Sequence, residues 1–376
     1  MTIFSLLQAA SRFPPMDDAQ GLLATIHPKR AETVGADGVA PSASREIRLV
    51  SRPGDLSPAN LETAVTSTPR PGPGQVLVRN TWLSVDRYVR GRMDNVPAPA
   101  HPPYQLGSAL DGAAVGEVVT TRSEDIPVGT TVLHFLGWRE YAVVDATDAL
   151  VVDTDLAPAQ AYLGVLGIPG LTAYAALTTA ATLQPGDVAF IANATTPVGN
   201  AAGQIARKLG ASEVIGSAGG PEDTLTALEV HGYDLVVDHH AGSISRQLNR
   251  LAPDGVDVYV GTADGPLLEA AIETLRTGGR AALVSHGNDS CCHHQIPGPH
   301  NLHKIVDKQL SLHGVQIGKH LAAFPDYIRH AAGWLAEGSL YSHELVYHGL
   351  DQAPSALVAM ERGTSHHDRV LIRLHP

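Results

Sequence analysis

The stretch VAFIANATTPVGNAAGQIARKLG, residues 188–210, joins an apolar run to a helix-forming segment through a turn containing proline and glycine. The run at 188–193 predicts a buried strand, and a helix is predicted over about 198–209. In such a turn, backbone N–H groups can approach a pyrophosphate at the positive end of the helix. Gly199 and Gly203 are spaced for close approach and tight packing, but Thr196 replaces the first expected glycine and Pro197 removes a donor. The stretch alone therefore predicts either a dinucleotide site or merely a tight strand-to-helix connection.

Downstream of this turn, apolar strands alternate with helical segments. The predicted strands are 213–218, 235–238, 256–261, 280–285 and 310–317, with a helix over 267–276. This alternation predicts an α/β domain whose parallel, doubly wound sheet has right-handed crossovers.

Upstream, short β-runs separated by Gly and Pro predict a compact, mostly antiparallel β-domain. Residues 1–44 show no sustained period, so we expect a loosely ordered extension with a linker at 37–44, although residues 3–10 could form a short docking helix. Two helices and a strand at 369–374 end the chain. The predicted organisation is an extension at 1–44, a β-domain at 45–163 completed by 326–376, and an α/β domain at 164–325.

Composition narrows the class of partner. The chain has 376 residues with 26 basic and 38 acidic side chains, a formal charge of −12, so it offers no basic field for nucleic acid. Its two cysteines, Cys291 and Cys292, are adjacent and predict no disulfide scaffold, which fits a reducing cytoplasm. No apolar run approaches the roughly 20 residues that cross a bilayer. We expect a cytoplasmic protein that acts on a small molecule without contacting membrane or nucleic acid.

The end of the second α/β strand bears on cofactor choice, because a carboxylate there binds an NAD ribose and a basic residue accepts the extra phosphate of NADP. Here Ser217–Gly220 offer neither, and Glu222 and Asp223 follow. One interpretation is that Pro221 starts a helix whose first-turn acids suit the helix dipole. The other is that these acids disfavour a 2′-phosphate, which would favour NADH or no nucleotide.

Three longer stretches carry a family resemblance. They are NTWLSVDRYVRGRM at 80–93, LGVLGIPGLTAYAAL at 163–177 and AAGWLAEGSLYSHELVYHGLDQAPSALVAMERG at 331–363. In these motifs the chain resembles the zinc-independent medium-chain dehydrogenases/reductases, in particular the prostaglandin/alkenal reductases, over roughly residues 46–374.

The resemblance implies a GroES-like β-domain plus a Rossmann domain, with the active cleft between them. It implies hydride transfer from NADPH to the β-carbon of an enone or enal, with NADH as the alternative cofactor. Zinc is not implied, because the thiolate and imidazole ligands of the superfamily's alcohol dehydrogenases are absent from the N-terminal domain. A homodimer is implied through pairing of the 310–317 edges.

Candidate site residues follow from these matches. Tyr88 could donate its O–H to a substrate carbonyl, with Arg90 or Arg92 orienting an anionic group, although all three could instead be structural. His286 could act as an acid or base near neutral pH. The cofactor-contact candidates are Thr196, Pro197, Val198, Gly199, Ser217, Gly219, His239, Thr262 and Ser285. The cluster Cys291–His294 predicts a loop and no metal, because adjacent side chains rarely close one tetrahedron.

Several departures from the family pattern fall on cofactor contacts. Asp223 stands at the phosphate-binding lysine and His239 at a tyrosine, while the turn at 261–264, the stretch from Ser285 and the segment at 366–369 are altered. Two alternatives therefore stay open. One is a non-redox cyclase or isomerase that transfers protons through His286 or His293, and the other is a catalytically silent binding subunit.

Overall fold

The computed structural model describes residues 40–95, 102–262, 265–285, 298–362 and 369–375. Most of the predicted extension, including the docking helix at 3–10, lies outside these ranges. The first strand already begins at Ala43, so the linker predicted to run through Ser44 extended too far at its C-terminal end.

The β-domain contains two sheets. Its elements are β1 (Ala43–Leu49), β2 (Leu61–Ser67), β3 (Gln75–Ser84), α1 (Arg87–Met93), β4 (Ala114–Thr121), β5 (Thr131–His134), β6 (Tyr141–Asp145) and β7 (Leu150–Val151). Strands β1 and β2 form an antiparallel pair, and β3 to β7 form the larger sheet, in which β3 pairs with both β4 and β6. No pattern in the sequence indicates β2, because most of its residues are exposed and one face of the strand carries no buried residue.

The second domain contains a six-stranded parallel sheet. Its elements are α2 (Ile168–Ala175), β8 (Val188–Ile191), α3 (Pro197–Lys208), β9 (Glu213–Ala218), α4 (Pro221–Leu225), β10 (Leu235–Asp238), α5 (Ile244–Leu251), β11 (Val256–Thr262), α6 (Gly265–Thr274), β12 (Leu275–Ser285), α7 (His303–Asp307) and β13 (Ser311–Gly314). The spatial order β10-β9-β8-β11-β12-β13 is the 3-2-1-4-5-6 order of a Rossmann sheet. The predicted α/β class and doubly wound sheet are confirmed.

The C-terminal segment returns to the larger sheet of the β-domain, the one that contains β3. It comprises α8 (Phe324–Ala336), β14 (Glu344–His348), α9 (Ala353–Glu361) and β15 (Arg369–Arg373). Strand β15 pairs antiparallel with β3, and β14 pairs parallel with β15. The Gln204 side-chain amide also exchanges two 2.9 Å hydrogen bonds with the backbone of Tyr341, which ties α3 to this segment.

Helix α3 packs closely against the turn after β8 and against the Tyr233 ring, and two glycines allow this close packing. A Cβ added at Gly199 would lie 2.1 Å from the Asn193 carbonyl oxygen, and one at Gly203 would lie 2.6 Å from the Tyr233 ring. The Tyr233 hydroxyl donates a 2.6 Å hydrogen bond to the Gly199 carbonyl. The ring therefore fills the space that side chains on this face of α3 would occupy.

Strand β13 is one of the two edge strands of the Rossmann sheet, and it pairs with β12 on its inner side. A homodimer through this edge remains a prediction. Within the described ranges, no helix has both the length and the apolar composition needed to cross a bilayer.

We predict that Gly203→Ala destabilises the fold by about 1–3 kcal/mol, because the new methyl group overpacks the buried Tyr233 ring. The measurement is the free energy of unfolding in urea. Gly333→Ala is the matched control, since Gly333 also lies within a helix but has nothing within 4 Å of an added Cβ. The control should be neutral or stabilising, by up to about 1 kcal/mol. Equal effects of the two substitutions would contradict the close-packing explanation.

Candidate active site

Five neighbouring parallel strands end along one edge of the Rossmann sheet. The strand order reverses between β8 and β11, and ligands bind at such a reversal, outside the carboxyl ends of the strands. Most of the predicted cofactor residues fall at this edge: 196–199 after β8, Ser217 and Gly219 at the end of β9, His239 after β10, Thr262 at the end of β11 and Ser285 at the end of β12. The fold thus brings together residues that are up to 89 positions apart, from 196 to 285.

The turn after β8 keeps the path of a phosphate loop with fewer amide donors. Thr196 caps α3: its hydroxyl accepts a 3.2 Å hydrogen bond from the Gly199 amide and donates a 2.8 Å bond to the Asn193 carbonyl. Pro197 occupies the first helical position, where its missing N–H would have had no partner within the helix. The amide at Val198 has no acceptor in the described part of the chain.

This geometry fits a diphosphate, although it offers fewer free amides than a turn with glycine at position 196 would. Thr196, Pro197 and Val198 remain partly exposed, so their side chains do not seal the start of α3. The backbone approaches closely where Gly199 packs against Asn193. The free Val198 amide and the positive end of a twelve-residue helix can face an anion, and the Gly199 amide can do so if the threonine hydroxyl gives way.

Ser217 has a structural position. It is fully buried, and its hydroxyl accepts a 2.9 Å hydrogen bond from the Asn193 amide. Its carbonyl also accepts the Ala194 amide at 2.8 Å. These two bonds hold the turn after β8 against β9, and the cofactor contact of Ser217 stays a prediction.

The ends of β9 and β10 bring a glycine and two histidines together. His239 Nε2 would lie 3.0 Å from a Cβ added at Gly219, and the His239 and His240 rings meet edge to face with centroids 4.7 Å apart. The pKa of His239 is lowered by burial and, next, by the neighbouring His240. His239 is therefore a neutral imidazole near pH 7 at the place where the sequence analysis expected a cofactor contact.

Tyr88 lies in a polar cluster on α1. Its side chain is half-buried, and burial followed by the Asp86 and Asp111 carboxylates raises its pKa well above the usual value. The phenol therefore stays protonated at neutral pH and can act as a hydrogen-bond donor. Arg92 forms an ion pair with Asp111 and stacks its guanidinium over the Tyr104 ring at 3.9 Å.

The structure does not support a substrate-facing role for Arg90. Its side chain is almost fully buried, donating to the Asp94 carboxylate at 2.9 Å and to the Gly54 carbonyl at 3.2 Å. These contacts hold α1 against the preceding loop. The sequence of the motif at 80–93 does not show which of its arginines are buried.

Other candidates fall outside the described residues. His286, His293 and the cluster Cys291–His294 all lie in the range 286–297. For Thr262 and Ser285 the backbone position alone is described. Within the described ranges no three His, Cys, Asp or Glu side chains are grouped so that they could hold a metal ion.

An ion pair that no sequence pattern indicates joins the C-terminal strand β15 to the start of α1. Arg369, on β15, pairs with Asp86 at the start of α1 and donates a 2.7 Å hydrogen bond to the Leu163 carbonyl. Leu163 stands at the predicted junction with the Rossmann domain. Nothing in the local sequence of Asp86 indicates a partner 283 positions away.

Comparison with known proteins identifies the family. Residues 45–152 match the model described as the N-terminal domain of oxidoreductase, and residues 197–334 match one described as zinc-binding dehydrogenase. The chain is 33% identical to the NADPH-dependent curcumin reductase of Escherichia coli (strain K12), over 88% of this chain and 97% of that protein. The chain belongs to the zinc-independent medium-chain dehydrogenases/reductases, in the group of the alkenal and prostaglandin reductases.

Two further members of this reductase group are informative. A 2-alkenal reductase (NADP(+)-dependent) of Nicotiana tabacum is 31% identical over 78% of this chain and 85% of its own length. The structure of CurA from Vibrio vulnificus in complex with NADPH superposes with a TM-score of 0.78 at 29% identity, covering 88% of this chain and 99% of that one. The protein is thus an oxidoreductase, and its predicted GroES-like and Rossmann domains are those of its group.

We predict that Thr196→Gly tightens dinucleotide binding. The substitution frees the Gly199 amide for a phosphate, and one hydrogen bond to a charged group contributes about 1.5 kcal/mol, or about tenfold in Kd. Loss of the cap should cost only a few tenths of a kcal/mol, because glycine is tolerated at that position. Calorimetric titration with NADPH is the measurement.

Thr196→Ser is the matched control and should bind like the parent protein, because it keeps the hydroxyl. Weaker binding by the glycine variant would show that the threonine hydroxyl itself helps to hold the diphosphate.

Proposed function

We propose that this enzyme uses NADPH to reduce the activated carbon–carbon double bond of small α,β-unsaturated carbonyl compounds. The observation that carries the proposal is the strand–turn–helix at the switch point of a Rossmann sheet, with Gly199 packed directly on the Asn193 carbonyl. The reductases named above, which act with NADPH or NADP(+), support the cofactor and the reaction class. No described feature favours the cyclase, the isomerase or the silent subunit.

The first task of the chain is to hold a dianionic diphosphate at the start of α3. The Val198 amide and the helix dipole supply partial positive charge there, and this backbone contribution matters more because the sequence from 193 to 206 contains no lysine. The carboxyl ends of β11 and β12, at Thr262 and Ser285, would border the nicotinamide end, since these strands lie beyond the switch point. The bound nicotinamide supplies the hydride.

The second task is to stabilise charge on the substrate oxygen. When hydride adds to the β-carbon, the electrons of the double bond move onto the carbonyl oxygen, which then needs a hydrogen-bond donor. Tyr88 fits this role, because its raised pKa keeps the phenol O–H protonated. Asp86, two residues earlier, is tied through Arg369 to Leu163 at the domain junction, which supports a position for Tyr88 beside the cleft.

The proposal is tested by binding and turnover together. Calorimetric titration should show binding of NADPH or NADH, and small enals and enones should consume the reduced cofactor and give saturated products identified by mass spectrometry. Absence of binding at millimolar cofactor would contradict the proposal. Conversion of a substrate without any nicotinamide would instead support a cyclase or isomerase.

We predict that Tyr88→Phe lowers kcat by about a hundredfold, the usual cost of removing one donor to a developing oxyanion. The Kd for NADPH should stay unchanged, because Tyr88 lies in the β-domain. Tyr347→Phe is the control, since Tyr347 packs against the same apolar cluster as Tyr88 and should tolerate loss of its hydroxyl. Full activity of the Tyr88→Phe enzyme would exclude Tyr88 as the donor.

A further inference from the structure

The carboxyl ends of β9 and β10 lack a permanent positive charge. The segment 219–245 contains no lysine or arginine, and its only groups that can become cationic are His231, His239 and His240. His231 is buried, whereas His239 is partly exposed and His240 is exposed. Within this segment, a cationic contact to a ligand can therefore come only from the last two histidines.

The His239 ring is placed to accept a ligand. Its Nδ1 atom is buried and has no hydrogen-bond partner among the described residues. The ring packs directly over Gly219, at the strand end where a Rossmann sheet recognises the adenosine ribose. The Nε2 side of the ring, which would lie 3.0 Å from a Cβ added at Gly219, therefore borders that ribose site.

The surrounding carboxylates oppose an anionic ligand. The Asp238 carboxylate already accepts the Gly220 amide at 3.0 Å and the His240 amide at 2.8 Å. Asp223, on α4, interacts electrostatically with His239, and Glu222 beside it is exposed. With the His239 imidazole neutral, the carboxylates of Asp223 and Asp238 oppose a 2′-phosphate.

We propose that His239 selects the cofactor by taking up a proton together with the 2′-phosphate, so that pH sets the preference for NADPH over NADH. This inference rests on the proposed function, because it concerns the dinucleotide site. The groups that face His239 are His240 and Asp238 from the end of β10, Asp223 from α4 and the Gly219 backbone from β9.

The sign of the pH dependence follows from the free protein. Burial lowers the pKa of His239, so near neutral pH the site is uncharged at this residue until a phosphate arrives. A nearby dianion favours the imidazolium, so binding is accompanied by proton uptake and strengthens as pH falls. The ligand's own titration acts in the opposite direction, because a phosphate with a second pKa of about 6 loses charge as pH falls.

The experiment compares adenosine 2′,5′-bisphosphate with adenosine 5′-monophosphate by calorimetry between about pH 6 and about pH 8. Two buffers of different ionisation enthalpy at each pH measure the protons taken up. The ratio of bisphosphate affinity to monophosphate affinity should fall by about tenfold or more as the pH rises from about 6 to about 8. Binding of the bisphosphate should take up protons, whereas binding of the monophosphate should not.

Variants assign the effect to the histidines. The double variant His239→Gln with His240→Gln should lose both the pH dependence of the ratio and the extra proton uptake, while its affinity for the monophosphate is kept. Asp223→Asn should raise bisphosphate affinity throughout the range. His348→Gln is the control, because His348 is an exposed histidine on β14 of the other sheet, and it should behave like the parent protein.

The outcomes separate the two proposals. If neither of the two adenosine phosphates binds and neither NADPH nor NADH binds, the proposed function fails. If the monophosphate binds but the ratio does not change with pH, or changes equally in the double variant, the histidine mechanism is overturned and the function stands.

Discussion

The close contact between helix α3 and the sheet is the constraint on which the rest of this molecule depends. Side chains are excluded at Gly199 and Gly203, where backbone carbonyl and the Tyr233 ring fill the space. This contact brings the positive end of the helix down to the switch point between β8 and β11. The same contact sets the direction of α3, whose Gln204 then meets the backbone of the returning C-terminal segment.

Around this fixed packing, the residues that would contact a dinucleotide have changed more than the scaffold. Thr196 uses its hydroxyl to satisfy an amide of the helix start, so the loop is partly self-capped. At the adenosine end, imidazoles and carboxylates stand where a permanent cation would be expected for NADP. The scaffold tolerates such changes because these side chains lie beyond the strand ends and contribute little to the core.

The junction between the domains depends on charge as well as on apolar packing. Arg369 joins the last strand to the start of α1 and to the Leu163 carbonyl, so three distant segments meet at one guanidinium. Removing one member of a buried ion pair leaves an uncompensated charge, which makes such a contact a strong constraint on geometry. Tyr88 is positioned by the helix that this contact anchors.

The sequence by itself determined the α/β class and the strand-helix alternation, because periodicity and glycine spacing are local properties of the chain. The likeness to reductases came from the three motifs at 80–93, 163–177 and 331–363. The sequence placed most strands within a few residues and missed β2, whose exposed residues carry no apolar pattern. Only the tertiary structure decided that Ser217 is buried against the Asn193 amide, that Arg90 pairs with Asp94 and Arg369 with Asp86, and that the His239 ring packs over Gly219. Burial and partner choice depend on contacts between residues far apart in the chain, and no local pattern encodes them.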